Sequence, residues 1–128
     1  MKIKLSEITN AKIIIKDILE EKIPVKLAFK FNKLISKVDA EDTFYIGKMR
    51  EYIQQYANKD EKGEVAFDES GNFSIPNEKF EEYSKAVKEL EEIEVDMDDT
   101  LRFTLDELDV FNLTIKQMHA LMPFIIED

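Results

Sequence analysis

The chain has 128 residues, 44% apolar and 36% charged, with three glycines, three prolines and no cysteine. That length is one domain (1–128), too apolar for a disordered chain and too poor in glycine and proline for a linker-rich one. The lack of cysteine excludes disulfides, thiolate metal sites and cysteine nucleophiles, and no apolar run approaches the ~18 residues of a membrane span. The opening MKIKLSEITN has no signal-peptide core, so a soluble intracellular protein is expected. The net charge of −10 is uneven: residues 1–62 hold 13 Lys+Arg against 10 Asp+Glu, residues 63–128 hold 5 against 18. Two oppositely biased halves packed in one domain account for this more simply than a dedicated surface.

Lys2 to Leu5 alternates charged and apolar, which predicts a short edge strand. Ile8, Ala11, Ile14, Ile15, Ile18 and Leu19 recur at three- and four-residue spacing, predicting a helix over 7–22 capped by Ser6 or Thr9. Its isoleucines lower intrinsic helix propensity, so burial must stabilise it. Pro24 ends that helix and opens the next. From Val25 an apolar stripe runs through Leu27, Ala28, Phe31, Leu34, Ile35, Val38, Tyr45, Ile46, Met49, Tyr52, Ile53 and Tyr56. One helix over 25–57 follows, with its weakest stretch at Asp39 to Gly47 and a kink or break expected near 40–43. A helix of that length exceeds the width of a small domain, so its own chain, a second copy or a partner must cover its far end.

Val65/Phe67 and Phe73/Ile75 alternate around Asp68-Glu69-Ser70-Gly71-Asn72, which predicts a β-hairpin. Asn77 is placed to cap a helix bearing Phe80, Tyr83, Val87 and Leu90. Ile93, Val95 and Met97, then Leu101, Phe103 and Leu105, predict two strands around Asp98-Asp99-Thr100. Thr114 followed by Gln117 is a capping box opening a last short helix that Pro123 ends.

Four patterns bear on chemistry. Asn58 to Glu69 has Gly63 at the sixth position and Glu69 at the twelfth, as in a calcium-binding EF-hand loop. However, Lys62 occupies a ligand position and Ser70-Gly71-Asn72 cannot begin the exit helix, so a turn is expected there. His119 is the only histidine, in a segment without pocket-forming turn chemistry, and a surface or partly packed residue is expected. Lys22, Lys26, Lys30, Lys33 and Lys37 align on one helix stripe, but arginine occurs only as Arg50 and Arg102, and a solvated face is favoured over nucleic-acid binding. The sharpest anomaly is residues 89–109, with ten acids against Arg102 alone. Apolar residues threaded through that tract make it part of the fold, able to aid solubility, dock a basic protein or imitate nucleic-acid phosphates.

The opening Met1-Lys2-Ile3-Lys4-Leu5-Ser6-Glu7-Ile8 and the block Ile23-Pro24-Val25-Lys26-Leu27-Ala28-Phe29-Lys30, continuing to Leu34, resemble a family of small uncharacterised proteins encoded by tailed phages and prophages of Gram-positive bacteria. Asp60 to Gly63, Glu92 to Val95 and the ending Leu121 to Ile125 correspond to further blocks of that family. Phe31 stands where the family carries leucine, and Phe67 to Ile75 is longer than expected. The resemblance spans nearly the whole chain. It implies phage origin and a setting in the host cytoplasm, and it implies no catalytic residues.

The expected fold is α+β, mainly α: one long helix and shorter helices packed with a small antiparallel sheet drawn from 2–5, 65–75, 93–97 and 101–105. The expected function is a non-enzymatic protein-binding module, without cofactor or metal, without direct nucleic-acid binding and without membrane association. The partner surface is expected at Glu94, Asp96, Asp98, Asp99, Asp106 and Glu107, or on the long helix at Tyr45, Met49 and Tyr52. The partner's identity is open, as is assembly into a homo-oligomer. A virion or assembly component, an acidic DNA mimic that inhibits a nucleic-acid-binding host defence protein, and an enzyme built around His119 are the competing classes.

Overall fold

A computed structural model describes residues 1–126 of the chain. Strand β1 (Lys2–Lys4) leads into helix α1 (Leu5–Ile18), the long helix α2 (Val25–Tyr56) and helix α3 (Asn77–Glu91). Strand β2 (Glu94–Asp96), the one-turn helix α4 (Leu105–Leu108) and helix α5 (Ile115–Leu121) complete it, with 3-10 turns at Asp99–Leu101, Asp109–Phe111 and Met122–Phe124. The fold is α+β and mainly α, with one two-stranded antiparallel sheet among the described residues.

Ile8, Ala11, Ile15 and Ile18 fall on one face of α1, and all are buried against α2 and α5. The helix begins earlier than its hydroxyl residues suggest. The Glu7 carboxylate accepts the Lys4 N–H at 3.2 Å, while the Thr9 hydroxyl donates to the Ser6 carbonyl within the first turn. It also ends earlier, at Ile18. Pro24 disfavours helical backbone at Ile23, and residues 19–24 serve to reverse the chain onto α2.

Helix α2 is unbroken over its 32 residues, about 48 Å at 1.5 Å per residue. Its first half carries Leu27, Phe31, Leu34, Ile35 and Val38 into the core. Phe31 stacks on Phe103 with centroids 4.2 Å apart and meets the edge of Phe111 at 5.5 Å. The break expected near 40–43 is absent, and side chains from two helices explain why. Lys12 of α1 donates to Asp42 at 2.7 Å and lies 3.3 Å from Asp39. Thr43 returns its hydroxyl to the Asp39 carbonyl at 2.8 Å, so its polar group is satisfied inside the helix. Asp42, only 7% exposed, is the buried charged residue of the described chain.

Beyond Asp42, α2 leaves the body and α3 accompanies it. Tyr56 meets Tyr83 edge-on at 6.1 Å near one end, and Tyr45 lies beside Glu91 near the other, so α3 returns antiparallel to α2. The chain itself thus covers the far half of the long helix, forming a two-helix arm. At its base β1 pairs β2 in the register Lys2↔Asp96, Ile3↔Val95, Lys4↔Glu94. Ile3 and Val95 face inward while opposite charges face each other outside. A one-residue slip would lose both matches at once.

Two expected β elements are absent. Residues 65–75 form single antiparallel bridges, Lys59↔Val65 and Phe67↔Phe73, because two tight turns leave too few residues between them for a ladder. The stretch 101–105 is no strand: Phe103 makes one parallel bridge to Ile125 and the flanking residues are helical turns. Burial of Leu101 and Phe103, rather than strand pairing, accounts for their alternation. Asn77 does not cap α3 either; Pro76 holds that place, its carbonyl accepting the Lys79 N–H at 2.9 Å. The Thr114/Gln117 box opens α5 as expected.

The Lys12 ammonium is raised above its ordinary 10.5, first by its hydrogen bond to Asp42, which outweighs the opposing effect of burial. Its stabilisation is therefore complete below pH 10.5 and is lost as pH climbs through the folded-state value. Lys12→Met should cost about 1–3 kcal/mol in urea unfolding at pH 7, because a buried carboxylate loses its partner. Adding Asp42→Leu should recover most of that loss, since no buried charge remains.

Candidate functional site

The stretch with EF-hand spacing is a pair of matched turns. In Asp60-Glu61-Lys62-Gly63-Glu64, Asp60 Oδ1 accepts the Lys62 and Glu64 N–H groups at 2.9 and 3.0 Å. In Asp68-Glu69-Ser70-Gly71-Asn72, Asp68 Oδ1 accepts the Ser70 and Asn72 N–H groups, both at 2.9 Å. Gly63 and Gly71 occupy the same place in each, at φ +79° and +81°, where a side chain would be strained. One oxygen of each aspartate thus organises its own turn. Asn58 joins the two turns: its carbonyl accepts from Ala66 and its N–H donates to Ser74.

The acidic tract divides into acids with local work and acids without it. Glu94 and Asp96 stand directly across the sheet from Lys4 and Lys2. Asp98 caps the turn after β2 by accepting the Thr100 N–H at 2.9 Å, and that bond holds its carboxyl below the usual range. Asp99 accepts from the ammonium of Met1 at 2.8 Å and is held low by it. Glu107 feels burial first, which would raise it. The Thr104 N–H at 3.0 Å and the Lys30 ammonium at 3.1 Å outweigh this, leaving its carboxyl below the usual range. Asp106 is exposed and has no ion-pair partner among the described residues.

The lysine stripe is likewise divided. Lys30 bridges Glu107 and lies 4.5 Å from the centre of the Phe103 ring, Lys33 lies 4.8 Å over Phe29, and Lys37 pairs with Glu41. The acids it faces are Glu107 and Glu41 rather than those of α3. His119 is exposed on α5, beside shallow grooves shared with Asn10 and Ala120. No cluster of three His, Asp or Glu side chains suited to a metal occurs among the described residues. No described helix is long and apolar enough to cross a membrane.

Tyr45, Met49 and Tyr52 are half-buried on the α2 face that continues the Leu27–Phe31–Leu34–Val38 stripe. In the body that face meets α1; in the arm it turns toward α3. Burial pushes the Tyr45 and Tyr83 hydroxyls above their usual value of 10, and for Tyr45 the Glu91 charge adds to it.

The opposite face of α2 exposes apolar groups that the stripe does not contain. Val25 is 81% exposed, Phe29 61% and Phe44 45%. At ~100° per residue Phe29 projects nearly opposite the buried stripe, and Val25 and Phe44 flank it on either side, with Lys26 and Lys33 among them. Val25 was expected inward by continuity with Leu27. Its angle, two residues from Leu27, is the signal that separates them. No protein-family profile, curated protein or solved structure matches the chain.

Millimolar calcium should leave the melting temperature unchanged, since Lys62 occupies a ligand position and no exit helix follows Glu69. A calcium-specific rise abolished by Glu69→Gln would contradict this. Gly71→Ala should lower stability by about 1–2 kcal/mol, the typical cost of a Cβ in left-handed backbone.

Proposed function

We propose that the chain is a non-enzymatic protein-binding module that uses the outward face of its long helix. The observation carrying this reading is the exposure of Val25, Phe29 and Phe44 along a single rigid helix, interleaved with Lys26 and Lys33. A rigid helix face presents aromatic anchors at little ordering cost, which favours docking into a groove of another protein. The lysines beside those anchors favour a partner with an acidic rim. The acidic tract is the weaker candidate, because the Met1 ammonium engages Asp96 and Asp99, Asp98 caps a turn and Lys30 pairs with Glu107, leaving two of its six expected residues without such a contact. The same engagement weakens the DNA-mimic reading, which needs acids free to face a nucleic-acid-binding protein.

The resemblance of the opening and of Ile23 to Leu34 to phage-encoded proteins supports a partner of host or phage origin, met in the cytoplasm of an infected Gram-positive bacterium. Tagged protein incubated with such a lysate should retain a defined protein that Phe29→Ser and Phe44→Ser variants lose. Each single variant should weaken the isolated complex by about tenfold or more, the usual effect of truncating an aromatic anchor. Asp96→Asn, Asp98→Asn and Asp99→Asn together should leave affinity unchanged, since asparagine keeps the Asp98 cap oxygen. Loss of binding in that triple variant alone would transfer the function to the acidic tract.

A further inference from the structure

We propose that a groove on the flank of the arm binds a second copy of this chain, forming a two-fold dimer. This goes beyond the outward-face reading and uses a different surface. The groove lies between the last turns of α2 and the paired turns at the arm's tip. Arg50, Ile53 and Gln54 line one wall, and Glu64, Phe67 and Phe73 line the other, around about 680 Å³. Val65 is buried beneath it, and Ile53 and Phe73 are half-buried. Phe67 stands at its edge, 63% exposed.

Charge selects the occupant. Arg50 on the helix wall and Glu64 on the tip wall have no ion-pair partner among the described residues. A cleft with one free cation and one free anion on opposite walls is its own electrostatic complement. A two-fold rotation sets Arg50 of each copy against Glu64 of the other, so both pairs form together. A strongly acidic or strongly basic partner would satisfy one wall and be repelled by the other. Shape agrees with charge, because the exposed Phe67 ring adjoins an apolar hollow. Exchange of the two rings across the axis removes both from water, and isologous interfaces work by such reciprocal insertion.

The patch is smaller than the ~800 Å² per partner of a standard interface, so the dimer is concentration-dependent and not obligate. Sedimentation velocity on the full chain from about 1 to 300 µM should show a monomer converting to a dimer in the micromolar range. Arg50→Glu and Glu64→Arg should each weaken the dimer at least tenfold, since each places like charges together twice. The Arg50→Glu/Glu64→Arg double variant should restore it, because the swapped pairs are again opposite in sign. Phe67→Ser should abolish it. Thermal melting of each variant separates loss of the dimer from loss of the fold. A wild-type chain that stays monomeric to 300 µM overturns the proposal. So does a dimer indifferent to single reversals, or a double variant that fails to recover while melting normally.

Discussion

The structure depends on the point where α2 passes from the body into the arm. Upstream of it, Leu27, Phe31, Leu34, Ile35 and Val38 hold the helix in the core; downstream, Tyr45 and Tyr56 meet α3. Neither packing region reaches the turn between Val38 and Tyr45. There, Lys12 reaches across from α1 and ties two aspartates of consecutive turns. Two carboxylates on one ammonium fix the rotation of α2 about its axis as well as its distance from α1. Rotation decides which side chains face α3 and which face outward, so this contact orients the whole arm. Replacing such a pair by apolar side chains is often neutral for stability, so the weight of this contact lies in its geometry.

Much of this was legible in the residues because one angular period runs the length of α2. Most positions read as a stripe, from Val25 to Tyr56, lie on one helical face that two different elements bury, although Val25 and Ile46 are exposed. The β1 strand, its partner segment and the α5 cap follow from alternation and a Thr-x-x-Gln pattern. What could not be read locally was set by distant contacts. Asp39 to Gly47 has poor intrinsic helix formers, and nothing nearby announces that Lys12 will engage Asp42. Leu101 and Phe103 alternate like a strand, but their inward faces are chosen by Phe31 and Ile125. The second half of the 65–75 segment has strand residues without enough length between its turns to form a ladder.

The expected partner surface was legible as charge but not as availability. Ten acids in one tract read as a surface for solubility or docking, while contacts for several lie at the Met1 ammonium and Lys30, remote in sequence. Conversely, Phe29 and Phe44 are few among many apolar residues of α2, and composition does not reveal that they point away from everything else. Counting charges or apolar residues measures supply. Exposure depends on which of them the fold consumes.

The pairing of β1 with β2 joins residues ninety or more positions apart, and this orders the events of synthesis. Helices α1 and α2 are neighbours in the chain and can associate as soon as both have emerged. Strand β1 cannot pair until β2 leaves the ribosome, which at 5–20 residues per second takes on the order of 5–20 s. During that interval Ile3 is a strand residue with an open edge, the kind of segment that recruits other nascent chains. Lys2 and Lys4 flank it on both sides. The two lysines that later face Asp96 and Glu94 thus act earlier as gatekeepers, repelling like-charged copies of the same strand until its own partner arrives.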